Sequence, residues 1–99
     1  MRFLLNETIP ALRTTTLLGR LHKHDGTPQP GAVIQVEIRD GEELVENSNV
    51  QLHDDGNGEY SKELPVLYLN IGQTYQAWCK VTVDSVIVID GETQDIIAV

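Results

Sequence analysis

The sequence contains few of the features that usually narrow down a function. Cys79 is the only cysteine among 99 residues, so no disulfide can form within the chain. No apolar stretch reaches the ~18 residues that a membrane span needs. The opening Met-Arg-Phe-Leu-Leu is also too short for the apolar region of a signal peptide. We therefore expect neither a membrane span nor a secretion signal.

Basic residues are scarce as well. Seven Lys and Arg face 15 Asp and Glu, which leaves a net charge of −8. An excess of this sign repels phosphate backbones and anionic lipid surfaces, so we expect no nucleic-acid partner and no membrane partner. The length suits one domain with a single modest core.

Signatures of helices and of catalysis are missing. No long window has apolar residues at helical spacing, and glycine or proline interrupts most candidates. The sequence has no G-x-S-x-G, P-loop, H-E-x-x-H or C-x-x-C motif. The neighbouring carboxylates Glu42-Glu43 and Asp54-Asp55 do not converge on one point, as paired acid–base groups must. We expect no enzyme, no catalytic residue and no cofactor.

Strand patterns recur along the chain. In Ala32–Arg39 the even positions are apolar and most odd positions are polar, which is typical of a half-buried strand in an antiparallel sheet. In Thr74–Val83, Tyr75 begins a second apolar face. Ser85–Ile89 and Thr93–Val99 read as the last two strands, with a turn at Asp90-Gly91. About seven short strands with turn signals every ~8–12 residues predict an all-β, antiparallel β-sandwich.

Three motifs stand in order along this pattern: "HDGTPQPGAVIQVEI", "DDGNGEYSKEL" and "LNIGQTYQAWCKV". Together they resemble carboxypeptidase-regulatory-like and related bacterial Ig-like domains. The resemblance implies an Ig-like (prealbumin-like) sandwich over residues 14–99, preceded by an arm at residues 1–13. It also implies that Tyr75 is a corner tyrosine whose hydroxyl bonds to nearby backbone. Small phage virion proteins often share this layout.

Two places hold candidate metal ligands. In "HDDGNGEY", Asp55, Asn57 and Glu59 match the first positions of a calcium loop, but Tyr60 stands where that loop needs glycine. We therefore interpret the stretch as a hairpin without metal. His22 and His24 would point to one side of a strand and could share a metal ion, although they lack a third ligand, so this question stays open.

Trp78 is a candidate partner-binding residue. If Tyr75 and Cys79 point into the core, Trp78 must point outward, and aromatic residues are enriched where partners dock. A loop or the N-terminal segment could instead cover the ring, and both interpretations stay open.

The first thirteen residues carry apolar side chains outside the sandwich pattern. Such an arm either folds back over its own sheet or lies on a neighbouring subunit, and we favour the second arrangement. The candidate partner-binding residues of the arm are Phe3, Leu4, Leu5, Ile9 and Leu12.

These observations favour a non-catalytic structural protein of a bacteriophage particle, such as a capsid decoration, head–tail or tail accessory subunit. Its partners would be other virion proteins or copies of itself, in a homo-oligomer or a larger assembly. The alternative is a cell-surface or secreted module that binds carbohydrate or protein, and a weaker third hypothesis is a small metal-binding protein. We expect no bound metal.

Overall fold

The computed structural model describes all 99 residues and contains ten strands and no helix. It therefore has no helix long and apolar enough to cross a membrane. The strands are β1 (Arg2–Leu5), β2 (Thr8–Ile9), β3 (Thr15–His22), β4 (Val33–Asp40), β5 (Glu43–Leu44), β6 (Val50–Gln51), β7 (His53–Gly56), β8 (Glu59–Leu64), β9 (Thr74–Val83) and β10 (Val86–Ala98).

The strands form two sheets that pack into a compact sandwich. The small sheet has the order β1-β3-β8-β7, and the large sheet has the order β2-β10-β9-β4-β5, with β6 also beside β4. The predicted all-β sandwich is confirmed at this level. The number of strands exceeds the expected seven, partly because β2, β5 and β6 have only two residues each. The large sheet is mixed, because β2 runs parallel to β10.

The alternation in the two clearest strands was predicted correctly. The even residues of β4 are buried from Ile34 to Ile38, and the odd residues of β9 are buried from Tyr75 to Val81. These two strands pair in the middle of the large sheet. Their inner faces therefore supply one wall of the core.

Two tyrosines link the core to the loops around it. The Tyr60 side chain is fully buried, and its hydroxyl donates to Gln29 O at 2.6 Å and accepts from Ala32 N at 3.2 Å. The Tyr75 hydroxyl accepts from Asn70 N at 2.8 Å, as expected for a corner tyrosine. Each hydroxyl thus forms hydrogen bonds with loop backbone groups that have no partner in a neighbouring strand.

The end of the chain differs from the prediction. Instead of two strands separated by a turn at Asp90-Gly91, a single strand of 13 residues runs from Val86 to Ala98. Gly91 lies at a register shift between Asp90 and Glu92, with φ of +78°. A positive φ at glycine suits a β-bulge as well as a turn, and only pairing with β9 distinguishes the two. The actual turn is at Asp84 and Ser85, both with positive φ.

The first thirteen residues are placed differently from the expected arm. They contribute β1 to the small sheet and β2 to the large sheet, and they bury Phe3, Leu5 and Ile9 in the chain's own core. Gln94 holds β1 in place, because its carboxamide accepts from Leu5 N at 3.0 Å and donates to Phe3 O at 2.7 Å. The physical reason is that two apolar strands gain burial and backbone pairing at once by closing the open side of the sandwich.

Phe3 packs into a space that exists only because residue 19 is glycine. A side-chain carbon placed at Gly19 would overlap two atoms of the Phe3 ring and would also touch Leu5. The ring therefore replaces the missing side chain in the inner layer of the small sheet. The contact joins a residue of the N-terminal segment to the middle of β3.

We predict that Gly19→Ala lowers the free energy of unfolding by about 1–3 kcal/mol, because the new methyl group overpacks against the Phe3 ring. In the Phe3→Leu background, Gly19→Ala should lower the free energy of unfolding by less, because the ring that the methyl group overlaps is gone. Urea denaturation of the four proteins of this double-mutant cycle measures the difference. Leu4→Ala, at an exposed position of the same strand, is the matched control and should be close to neutral. Effects of Gly19→Ala and Phe3→Leu that add within about 0.5 kcal/mol would contradict this packing.

Candidate interaction surfaces

The predicted partner-binding residues of the N-terminal segment divide into two groups. Phe3, Leu5 and Ile9 are buried in the core, so their side chains are not presented to a neighbour. Leu4 and Leu12 are exposed. The outer edge of β1 is also occupied, because Gln94 bonds to its free backbone groups. Of these five predicted residues, only Leu4 and Leu12 remain available as apolar contacts.

Trp78 lies on the outer face of the large sheet, as predicted, but the chain itself covers part of the ring. The Arg39 guanidinium stands 5.0 Å from the ring centroid, in a cation–π contact. Arg39 in turn forms an ion pair with Glu37 at 2.7 Å. On the other side, the indole nitrogen lies 2.9 Å from the point that a side chain at Gly91 would occupy. Trp78 is half-buried, and Arg39 and the bulge at Gly91 both lie close to its ring.

The "HDDGNGEY" stretch forms a hairpin, as predicted. Asn57 and Gly58 both have positive φ in the turn between β7 and β8, which is the geometry of a type I′ turn. Asp54 accepts from Gly56 N at 2.9 Å and from Gly31 N at 2.8 Å. Its carboxylate thus ties the hairpin to the turn that precedes β4. These two backbone donors hold the pKa of Asp54 below its ordinary value of 3.8.

Ser61, Asp55 and His53 lie in contact on the same hairpin. Ser61 donates its hydroxyl hydrogen to Asp55, and the His53 ring lies 4.0 Å from the other carboxylate oxygen. A nucleophilic serine needs the imidazole next to its hydroxyl, with the carboxylate behind the imidazole. Here the carboxylate stands between the other two, so this order does not activate Ser61.

The two histidines of the H-x-H pair do not share one strand. β3 ends at His22, opposite Arg2, and His24 lies in the following turn. The His24 ring comes within 3.1 Å of the Met1 amino group. No group of three or more His, Cys, Asp or Glu side chains is arranged to hold a metal ion.

Cys79 is buried on the inner face of β9. Burial, with a smaller contribution from the Glu92 charge, raises the pKa of the thiol to about 12. The thiol therefore stays protonated and packs as a small apolar side chain, because only the thiolate is a strong nucleophile.

Sequence reasoning missed the most apolar exposed stretch of the surface. At the start of β10, Val86, Ile87 and Val88 are 61%, 48% and 39% exposed. On the outer face, Ile87 pairs with Thr82, which pairs with exposed Val33 on β4. The run of valine and isoleucine was visible in the sequence, but its pattern cannot tell an edge strand from a central one.

Acidic residues flank this stretch. Asp84 lies in the preceding turn, and Asp90 and Glu92 lie on either side of the bulge at Gly91. All three are exposed, and none belongs to the three ion pairs of the molecule. Lys80 lies opposite Asp90 on β9 without forming an ion pair with it. The start of β10 is therefore an apolar edge with acidic residues at both ends.

Comparison of the chain with protein-family models, with curated proteins and with solved structures gives no match. The interpretation of its surfaces therefore depends on their chemistry.

We predict that the protein loses stability in acid through Asp54. Its folded pKa is below the unfolded value of 3.8, so its contribution is complete above that pH and is lost as the pH falls through the lowered pKa. Asp54→Asn should lower the free energy of unfolding at neutral pH and flatten its decline in acid. Urea denaturation between neutral and strongly acid pH measures both effects. Glu46→Gln, which neutralises an exposed carboxylate, is the control, and equal acid profiles for Asp54→Asn and the wild type would contradict the assignment.

Proposed function

We propose that the protein is a non-catalytic structural subunit that binds other proteins within a larger assembly. The observation that carries this proposal is the exposed apolar edge at Val86, Ile87 and Val88. An apolar run on an unpaired strand edge is a liability for a protein that stays alone in water, because it invites association. A permanent neighbour in an assembly would cover it.

The assembly we propose is a bacteriophage particle, in which the chain is a capsid decoration, head–tail or tail accessory subunit. Support comes from the three ordered motifs that resemble Ig-like domains, which small virion proteins often use. Repeated copies in a particle also make weak single contacts sufficient. Leu4, Leu12 and Trp78 are further candidate contacts, whereas Phe3, Leu5 and Ile9 serve the core.

We include the finer fold assignment, an Ig-like (prealbumin-like) sandwich, in the same proposal. The hydrogen bond from Asn70 N to the Tyr75 hydroxyl supports it, because a tyrosine with this role marks the corner of such sandwiches. The Asn57-Gly58 hairpin supports it as well, since it forms where the resembled domains have a hairpin.

A second candidate function is carbohydrate binding by a cell-surface or secreted module. The observation that favours it is Tyr68, which is 87% exposed beside an open depression of about 400 Å³. Asn47, Asn70 and Glu43 also line this depression and offer amide and carboxylate groups to sugar hydroxyls. Trp78 does not line it, so such a site would depend on Tyr68.

The structural role predicts that the protein sediments with particles. Particles purified from the source of the gene should contain the chain, detected by antibody after a density gradient. Ile87→Lys should weaken rebinding of the purified protein to particles stripped of it by about tenfold or more, because a charge enters an apolar contact. Leu18→Lys, at an exposed leucine on β3 of the small sheet, is the matched control.

Absence of the chain from every particle fraction would contradict the virion role. A glycan array tests the alternative with the wild type and with Tyr68→Ala. Binding to one class of sugar, lost in Tyr68→Ala, would favour the carbohydrate module.

A further inference from the structure

One strand of the large sheet has an open edge. β10 pairs with β9 along its length, but on its other side only Ile97 and Ala98 pair, with β2. Near its middle, the Gln94 side chain reaches across to β1. From Val86 to Glu92 no strand lies on the outer side of β10. Backbone groups along such an edge are a template for another strand.

The other edges of the sandwich are less suited to pairing with an added strand. The Gln94 carboxamide occupies the edge of β1, and β2, β5 and β6 have two residues each. β7 has four residues, a bulge and two carboxylates. Short strands, bulges and charges are the usual protection of an edge against pairing. The register of β10 with β9 also shifts at Val88, between Ile87 and Ile89, and Asp90 adds a charge. The start of β10 is nevertheless the one edge with exposed apolar side chains over five residues, from Val86 to Asp90, before the bulge at Gly91.

The side chains at this edge indicate what the added strand must contain. Val86 lies opposite Val83, on the inward side, and Ile87 lies opposite Thr82, on the outward side. An added strand would therefore meet apolar groups on both of its faces. Its central residues must be apolar as well, because cross-strand neighbours stabilise a sheet through such pairs.

Charge selects between two occupants, a second copy of the chain and a different protein. An antiparallel pairing of two copies centred on Val88 would bring Asp84, in the turn before β10 of one copy, near Glu92, just past the bulge of the other. Each copy also carries a net charge of −8. Like charges brought together at both ends of the paired segment destabilise it, so the edge disfavours a second copy. Lysine or arginine at the ends of the added strand would complement Asp84, Asp90 and Glu92.

We propose that Val86–Asp90 is a docking edge for an extended segment of another protein, with apolar residues at its centre and basic residues at its ends. The segment adds a strand to the large sheet beside β10. This inference rests on the proposed binding role and names the chemistry of the partner. Backbone pairing supplies a sequence-tolerant contact, and the flanking charges select the partner.

The test is a titration of the full chain, labelled with ¹⁵N, with two synthetic peptides that share an alternating valine–threonine centre. One peptide has lysines at both ends and the other has glutamates. The lysine peptide should shift the backbone amide signals of Val86–Asp90, slow their hydrogen exchange, and bind about tenfold more tightly at low salt. The Asp90→Lys/Glu92→Lys variant should reverse this preference.

Two single variants test the site. Ile87→Lys should abolish binding of the lysine peptide, and Leu18→Lys, on the small sheet, should leave it unchanged, with thermal unfolding confirming that both are folded. Equal affinity for the two peptides, or signal changes confined to other strands, would overturn the proposal. So would a dimer of the wild type, seen by sedimentation equilibrium, that Ile87→Lys dissociates, since that result assigns the edge to a second copy.

The virion role and the docking edge can be refuted independently of each other. If the chain is found in particles but Ile87→Lys rebinds normally and neither peptide binds, the docking edge is refuted and the structural role stands. If the lysine peptide binds at β10 but no particle fraction contains the chain, the edge stands and the virion role is refuted.

Discussion

The whole arrangement depends on how strand edges find partners for their backbone groups. A two-sheet protein has open edges wherever its sheets do not close, and each unpaired N–H or C=O must meet water, a side chain or another strand. Gln94 supplies hydrogen-bond partners for the open edge of β1. Its carboxamide matches one acceptor and one donor on β1, at Phe3 O and Leu5 N. This contact joins the two sheets at the position where the N-terminal segment enters the sandwich.

Once β1 is held there, the packing beneath it follows. Phe3 needs an inner position without a side chain, and Gly19 provides it. Tyr60 then anchors the loop before β4 through its buried hydroxyl, and burial raises the pKa of that hydroxyl, so it stays protonated and can donate. Asp54 secures the same loop from outside through Gly31. The small sheet and the loop before β4 are thus connected by polar contacts around an apolar core.

Some apolar surfaces are contacted by the chain's own residues, and others have no neighbour within the chain. Trp78 is of a residue type common at interfaces, yet Arg39 and the Gly91 bulge lie close to its ring. Val86, Ile87 and Val88 are not residue types that mark an interface, but no other strand pairs with the outer edge of β10 beside them. The proposed partner chemistry depends on their exposure together with the acidic residues at both ends of the edge.

Local sequence patterns were sufficient to predict the faces of β4 and β9 and the hairpin at Asn57-Gly58, because alternation and turn chemistry are local properties. The remaining features depend on contacts between distant parts of the chain. The sequence of residues 1–13 suggests a free arm, because it does not show that β3 and Gln94 lie beside this segment. The sequence Asp90-Gly91 suggests a turn, because it does not show that β9 pairs with β10 on both sides of it. Which strand becomes an edge depends on contacts between residues far apart in the chain, such as Leu5 with Gln94. No local pattern encodes such contacts, since the same alternating strand fits an edge or the middle of a sheet.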